Sequence, residues 1–392
     1  APLASLATPW AAAWFPAALG RAVKSYNCQA SPWRAKSMSS VRFALVGCGN
    51  IARKHAHALS HHLNEAEIAA FVDLDLSRAQ ELSKKYGAPA FSSIREMMQS
   101  TGDRIDVFSV LTPSGAHCAN VLDLVEYGRP VVVEKPMALR LEDADRMIEA
   151  CDLHGVKLFV VHQNRYNLPI VKAREAMEQG RFGRLVLGTI RLRWTRTQAY
   201  YDSEPWRGTW AHDGGVFMNQ AAHHIDMLTW FMGNVESVRS MATTRLVDIE
   251  CEDTGVAVMR FNSGALGVLE ATTATRPKDL EGSISILGEK GSVVIGGFFM
   301  NELLTWTFED KRPIDDVVFE KFSRNPTEVG YNHGEYLRDV IASVQNKKAA
   351  LVDGLEGRRS LELITALYES IETNADVQLR FSPKKCRLGV AS

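Results

Sequence analysis

Three stretches of this 392-residue chain combine residue types and spacings that can do chemistry. The first, Gly47-Cys48-Gly49-Asn50-Ile51-Ala52, reads G-x-G-x-x-A directly after a β-rich run and at the start of a helical one. Glycines there let the backbone turn tightly and approach a pyrophosphate, which then rests on the positive N-terminus of the helix. Alone the pattern is weak, because Gly and Ala are common at any strand-to-helix turn; its context strengthens it. The next β-rich run ends at Asp73, where a dinucleotide fold places a carboxylate that accepts hydrogen bonds from ribose hydroxyls and repels a 2′-phosphate. No arginine follows at once to receive such a phosphate, Arg78 lying a helical turn further on, so the pattern favours NAD over NADP. Asp73 and Asp75 have a second reading, as caps of the helix before Ser77, and one of the two is expected to serve that way.

The second stretch is a pair of strand ends. Thr112-Pro113-Ser114-Gly115-Ala116-His117 and Glu134-Lys135-Pro136 each follow a β-rich run, at the edge where an open α/β sheet binds its ligands. A lysine at the end of a buried strand, ahead of a proline that stops the sheet, projects into the crevice; the alternative for Lys135 is a solvated loop lysine. His117, on the first turn of a helix, reads as a structural or cofactor-edge residue rather than a catalyst. The third stretch runs from Gly214-Gly215 through Val216-Phe217-Met218-Asn219-Gln220-Ala221-Ala222-His223-His224-Ile225-Asp226. On one helix Asn219 and His223, four apart, share a face, while His224 is turned about 100° further round. A polar Asn and His on so apolar a helix are costly to bury unless they line a cleft or find partners in the core.

The elements that must position these groups follow an alternating grammar. Val41 to Val46, Ile68 to Val72, Ile105 to Leu111, Pro130 to Val133 and Val156 to Val161 read as buried strands; Ile51 to His62, Ser77 to Tyr86, Ala116 to Tyr127 and Leu141 to His154 read as helices. That alternation predicts an α/β Rossmann domain with a parallel sheet. Beyond about residue 165 longer strands with turns such as Glu289-Lys290-Gly291 predict an α+β domain with a large, mostly antiparallel open sheet. The expected division is 41–163 for cofactor binding, 164–380 for substrate and oligomerisation, and 381–392 as a tail. Residues 1–40 contain no acidic residue and lack regular periodicity. They are expected to be a disordered extension ahead of a start at Met38, with an organellar transit segment as the alternative.

Composition excludes several classes. With 45 Lys+Arg against 46 Asp+Glu, nothing global attracts nucleic-acid phosphates or an anionic membrane. The longest apolar run, Ala11 to Leu19, is broken by Pro16 and falls short of the roughly 20 residues that span a bilayer. Six scattered cysteines form no metal-binding or disulfide pattern, as expected of reduced thiols in a cytoplasmic protein.

Taken together, Gly47 to Ala52, Glu134-Lys135-Pro136 and the Gly214-Gly215 segment ending in His223 resemble the glucose-fructose oxidoreductase/inositol dehydrogenase/rhizopine catabolism (Gfo/Idh/MocA) family over about residues 41 to 380. Within it, Val160 to Asn167, Arg193 to Arg196, Tyr200 to Asp202, Trp206 to Trp210, Met218 to Ala221 and Leu280 to Gly291 are similar to the bacterial UDP-N-acetylglucosaminuronate 3-dehydrogenases, which supply sugars for surface polysaccharide. The resemblance implies a nucleotide sugar held between the domains, a sheet facing a subunit partner in a dimer or tetramer, and Lys135 and His223 meeting at the hydroxyl to be oxidised. Many relatives carry Asp where Asn219 stands, so the proton route here rests on His223 and Lys135, or borrows Asp226. His162 stands where a lysine is expected.

Motifs and resemblance together assign Gly47, Gly49, Asn50, Ile51, Asp73, Thr112, Pro113, His117, Glu134, Lys135 and Gln163 to the cofactor. Lys135, Arg165, Tyr201, Trp206, Arg207, Asn219 and His223 fall to the substrate, the two arginines because a guanidinium offers paired donors to carboxylate or phosphate oxygens. Oxidising a secondary alcohol needs a hydride acceptor, a base and alignment, and no metal. A neutral His223 as base beside a Lys135 ammonium is one assignment; a desolvated, neutral Lys135 as base is the other. Action on a free sugar, an inositol or UDP-N-acetylglucosamine, or a regulator that binds NAD without turnover, are the competing functions.

Overall fold

The computed structural model describes residues 40–323, 331–379 and 388; the expectations for residues 1–39 and for most of 381–392 lie outside the described residues. Strands β1 (Val41–Val46), β2 (Ala66–Val72), β3 (Ala90–Phe91), β4 (Val107–Val110), β5 (Val131–Val133) and β6 (Leu158–Val160) alternate with helices α1 (Asn50–His61), α2 (Leu76–Tyr86), α3 (Ile94–Thr101), α4 (His117–Val125) and α5 (Leu141–Leu153). The strands form one parallel sheet in the order β3-β2-β1-β4-β5-β6. Order reverses between β1 and β4, and a crevice opens beyond their carboxyl ends at such a switch point. The cores of β1, β4 and β5 are buried on both faces, which is why they read as unbroken apolar runs. Asp75 caps α2 by accepting from Ser77 N at 3.1 Å, so the capping task falls to Asp75 and leaves Asp73 at the crevice.

The chain then runs through α6 (Leu168–Glu178), β7 (Leu185–Arg193), the short α7 (Gln198–Tyr201) and α8 (Ala222–Met232) into β8 (Val235–Thr243), β9 (Thr254–Phe261), β10 (Leu266–Thr272), β11 (Glu281–Gly288), β12 (Gly291–Gly296) and β13 (Glu302–Phe308). Helices α9 (Pro313–Phe322), α10 (Tyr331–Val344) and α11 (Gly354–Thr373) and the two-residue β14 (Val377–Gln378) complete it. The second sheet is ordered β13-β12-β11-β7-β10-β9-β8-β14, antiparallel except where β10 runs parallel to β7. Helices α8 and α11 pack on one of its faces. The opposite face carries exposed apolar side chains on neighbouring strands, among them Val186, Met241, Val256, Val258, Leu266 and Val268.

One helix departs from the expected division. Although α10 follows the second sheet in sequence, Tyr336, Leu337, Val340, Ile341 and Val344 are buried with Phe43, Leu45, Phe159 and the apolar face of α1. The first sheet therefore borrows a helix from the far end of the chain. Its apolar spacing signals a buried face, but nothing in spacing says which sheet it covers.

Close packing beneath the second sheet leaves no room at Gly255 on β9, where an added Cβ would lie 2.3 Å from Cζ of the buried Phe217 ring. Gly255→Ala is expected to lower stability by about 1–3 kcal/mol through overpacking, read as a drop in Tm by thermal unfolding; an unchanged Tm would show that Phe217 shifts freely.

Candidate active site

The chain turns sharply at Gly47, whose φ of +93° suits glycine and whose missing Cβ would stand 2.7 Å from the Leu111 carbonyl carbon at the end of β4. An added Cβ at Gly49, by contrast, would meet nothing within 4 Å. No side chain caps α1 and no acidic residue occupies its first turn, so its leading amides face the opening without a competing carboxylate. That combination of open space and unsatisfied donors fits a diphosphate. A cleft of about 1080 Å³ extends from this turn, bordered by Gly47, Gly49, Asn50, Ile51, Asp73, Thr112, Pro113, His117, Glu134 and Lys135. Asp73 accepts Cys48 N at 2.7 Å and Asp75 N at 2.9 Å, which fixes its carboxylate against the glycine turn. Arg78 also borders the cleft, but lies 3.5 Å from Asp75 and 3.6 Å from Glu204. His117 is tied to the carbonyls of Pro136 and Thr112 at 2.9 and 2.8 Å, a structural post that holds two strand ends together.

At the floor of the cleft Glu134 is 5 % exposed. One carboxylate oxygen meets His55 Nε2 at 2.9 Å, and the other accepts Lys135 N at 3.0 Å. Burial pushes this carboxyl up, yet the His55 hydrogen bond together with the charges of His55, His333 and Lys135 holds the group at about 2. His333 completes a buried trio with His55 and Glu134 whose potential metal donors lie within 4.8 Å of one another. The His55–Glu134 bond already orders that trio, and its neighbours Lys54 and Lys135 are cationic, so its evident work is to hold the Lys135 backbone. Lys135 Nζ donates to the Asn219 carbonyl at 3.0 Å. Desolvation pulls the ammonium's proton affinity below the ordinary lysine value, while Glu134 and Asp213 oppose that pull.

Asn219 borders the cleft but does not belong to the helix that carries His223, contrary to the shared helical face expected from their spacing. Helix α8 starts only at Ala222; before it, Val216 N donates to the Glu252 carbonyl and Phe217 N to its carboxylate, each at 3.0 Å. The segment instead folds as a turn closed by Asn219 N to Gly215 O at 3.0 Å. His223 is partly exposed and, like Gln163, is not among the residues that border the cleft; Gln163 Nε2 lies 3.1 Å from its Nε2. With that amide donating, Nε2 keeps its lone pair and the ring proton sits on Nδ1. Burial first, then the Lys135 charge, holds His223 well below the usual histidine value, so it is neutral at pH 7. His224 points inward instead, 1 % exposed and edge-on to Trp194.

Two expected substrate contacts are corrected. Arg165 reaches no cleft: its side chain is 1 % exposed, paired to Asp226 at 2.7 Å and to Glu356 at 3.0 Å. That ion pair also commits Asp226, with His162 3.5 Å away, so Asp226 is not lent to His223. Tyr201 is buried behind the wall, its hydroxyl 3.1 Å from Thr273 Oγ1. Trp206 and Arg207 do border the cleft. The Arg207 guanidinium lies over the Tyr200 and Trp206 rings at 4.3 and 4.7 Å and donates to the Tyr200 hydroxyl at 2.6 Å, while its Nε has no partner among the described residues. Sequence reasoning missed Asp213, which is 1 % exposed, bonds Asn219 and Gly208 N, and has its carboxyl pushed up to about 6 by burial. Its only signal was an acid directly before a glycine pair. It also missed His55, which shares a helix face with Ile51, and His333, which carried no signal.

Comparison with known proteins agrees with this geometry. Residues 41–162 match the model of an oxidoreductase family NAD-binding Rossmann fold, and residues 174–379 match the same family's C-terminal alpha/beta domain. Among solved structures, the WlbA dehydrogenase from Bordetella pertussis, in complex with NADH and UDP-GlcNAcA, is 43% identical, with a TM-score of 0.83 over 87% of this chain and 98% of its own. The corresponding dehydrogenase from Chromobacterium violaceum is 41% identical, with a TM-score of 0.82 over 87% of this chain and 96% of its own. The myo-inositol 2-dehydrogenase of Thermotoga maritima is 27% identical over 86% of this chain and 98% of its own length. A G-x-G-x-x-A turn, an acid at the end of β2 and a lysine on the cleft floor thus stand in a chain whose two halves both match one family: it belongs to the Gfo/Idh/MocA oxidoreductases and is an NAD-dependent sugar dehydrogenase.

Proposed function

We propose that this enzyme oxidises the 3-hydroxyl of a UDP-N-acetylhexosaminuronate to the 3-keto sugar, in the biosynthesis of surface polysaccharide sugars. The observation that carries the reading is one cleft bordered by both a partly buried lysine and an arginine whose guanidinium lies over two aromatic rings. A guanidinium so oriented suits a carboxylate or diphosphate and has no task with a neutral cyclitol. The 43% identity to a dehydrogenase solved with UDP-GlcNAcA supports the same substrate class, whereas the inositol dehydrogenases stand at lower identity and favour the second reading, a cyclitol or free sugar. Incubation with UDP-N-acetylglucosaminuronate, its non-uronate parent, myo-inositol and free sugars tests this: NADH should form with the uronate, and product mass should fall by two hydrogens. Turnover of inositol alone would select the second reading.

NAD, when bound, supplies the hydride acceptor. The protein's part is to hold the sugar hydroxyl and take its proton. A hydroxyl that replaces the Gln163 amide at His223 Nε2 meets a lone pair, and the neighbouring Lys135 ammonium stabilises the charge that develops on oxygen. The exposed apolar face of the second sheet supports a homo-oligomer, dimer or tetramer, in which a partner covers it. No helix among the described residues is long and apolar enough to cross a membrane, and the buried thiols of Cys48, Cys118, Cys151 and Cys251 suit a cytoplasmic setting.

Three outcomes are expected. His223→Asn should cut turnover by roughly 10²- to 10⁴-fold with NADH affinity little changed, and His224→Ala should cost much less in turnover; steady-state kinetics with NADH fluorescence titration would expose a reversed ranking as a wrong base. Asp73→Ser should relax discrimination against NADP, which competition kinetics will read; equal use of both cofactors by the wild type would remove the premise. Light scattering at micromolar concentration should report more than one subunit, and a monomer would contradict the covered-face argument.

A further inference from the structure

Lys135 is a cation that borders the cleft, yet the carboxylate beside it in sequence, Glu134, is turned to His55 and to the Lys135 backbone. The ammonium is held instead from the opposite side, by the Asn219 carbonyl at 3.0 Å. Asn219 is in turn held by its side-chain amide, which donates to Asp213, and the other oxygen of Asp213 accepts Gly208 N at 2.7 Å. Asp213 is 1 % exposed and is not among the residues that border the cleft, so its reach to the site runs through Asn219, which does border it.

From this chain of contacts we infer that Asp213 is a positioning residue for Lys135: through Asn219 it fixes where the ammonium sits, and across the same short span its negative charge keeps that ammonium protonated. The inference rests on the role proposed above for Lys135. The charged and titratable groups around Asp213 are Arg207, Lys135, Tyr201 and Glu252, and Arg207 and Lys135 are the two cations among them. Glu252, pushed up by burial to about 7, ionises above that pH, but its carboxylate is engaged by Phe217 N and the Tyr368 hydroxyl. Burial raises Asp213 as well, but only to about 6, so it is ionised at neutral pH and above. In that range Asp213 and Glu134 are the two carboxylates that oppose the loss of the Lys135 proton caused by desolvation. Removing one of them must let that loss advance: Lys135 should titrate at lower pH, and turnover that needs its positive charge should fail earlier as pH rises.

The test reads Lys135 directly. In the full-length protein with NADH bound and ¹³C-labelled lysine, the Lys135 resonance is the one missing from Lys135→Met. Its titration midpoint should fall by about one pH unit or more in Asp213→Asn, an isosteric change. The double variant Asp213→Asn/Asn219→Asp, which returns a carboxylate to the neighbouring residue, should bring the midpoint back. The alkaline limb of kcat should move in step, with KM for NAD little changed. Should Asp213→Asn not fold, Asp213→Glu carries the same comparison, because the longer arm displaces the charge from Asn219 and should shift the midpoint. A midpoint unmoved in the folded variant, or a lowered one that the double variant leaves lowered, would overturn the inference. The titration needs no substrate, so failure to oxidise any nucleotide sugar would sink the proposed function without touching this result.

Discussion

A lysine ammonium withdrawn from water is the constraint on which the site depends. Lys135 loses hydration at the floor of the cleft, and an uncompensated buried charge would give up its proton. Elements from distant parts of the chain offset that loss. Helix α1 sends His55 to orient Glu134, the end of β5 provides Glu134 itself, and the turn before α8 provides the Asn219 carbonyl. The same cation then acts on its neighbours, since its field, added to burial, keeps His223 unprotonated at neutral pH. Two groups with opposite protonation tasks stand in one site because the cation's field disfavours a proton on His223, while the carboxylates of Glu134 and Asp213 favour the one on Lys135.

The scaffold explains how such tolerance is met. The Gly47 turn and the β4 end at Leu111 come within van der Waals contact, which leaves the helix α1 amides free to face the opening. Opposite, Glu252 accepts from Phe217 N and, at 2.8 Å, from the Tyr368 hydroxyl. That buried acid sets the path of the Gly214-Gly215 turn, leaving so little space that a Cβ on Gly215 would stand 2.1 Å from its Oε2. The Arg165–Asp226 pair ties α8 to the segment after β6 and so fixes where His223 stands relative to the first sheet. What resembled a ligand-binding arginine is instead a brace between the two sheets' elements.

Much of the first sheet was legible because buried parallel strands are unbroken apolar runs and their helices are amphipathic, so Val41 to Val46 and Leu141 to Leu153 could be bounded within a residue or two. The two-residue β3 and the helix after it carried too little pattern to be seen. The turn at Gly47, the crevice position of Lys135 and the inward turn of His224 followed from local rules. Arg165, Tyr201 and Asn219 did not, since their surroundings are set by Asp226, Thr273 and Glu252, which lie 61, 72 and 33 positions away in the chain. Spacing on a helix predicts a face only where the helix exists, and α8 starts three residues after Asn219.

The proposed function places one sugar hydroxyl between Lys135 and His223. A structure of the enzyme with NADH and UDP-N-acetylglucosaminuronate measures this directly. The 3-oxygen should lie within hydrogen-bonding distance, roughly 2.6–3.2 Å, of both Lys135 Nζ and His223 Nε2, with the Gln163 amide displaced from that nitrogen and Arg207 on a carboxylate or phosphate oxygen. A sugar bound in the cleft with its 3-oxygen in contact with neither side chain would contradict it.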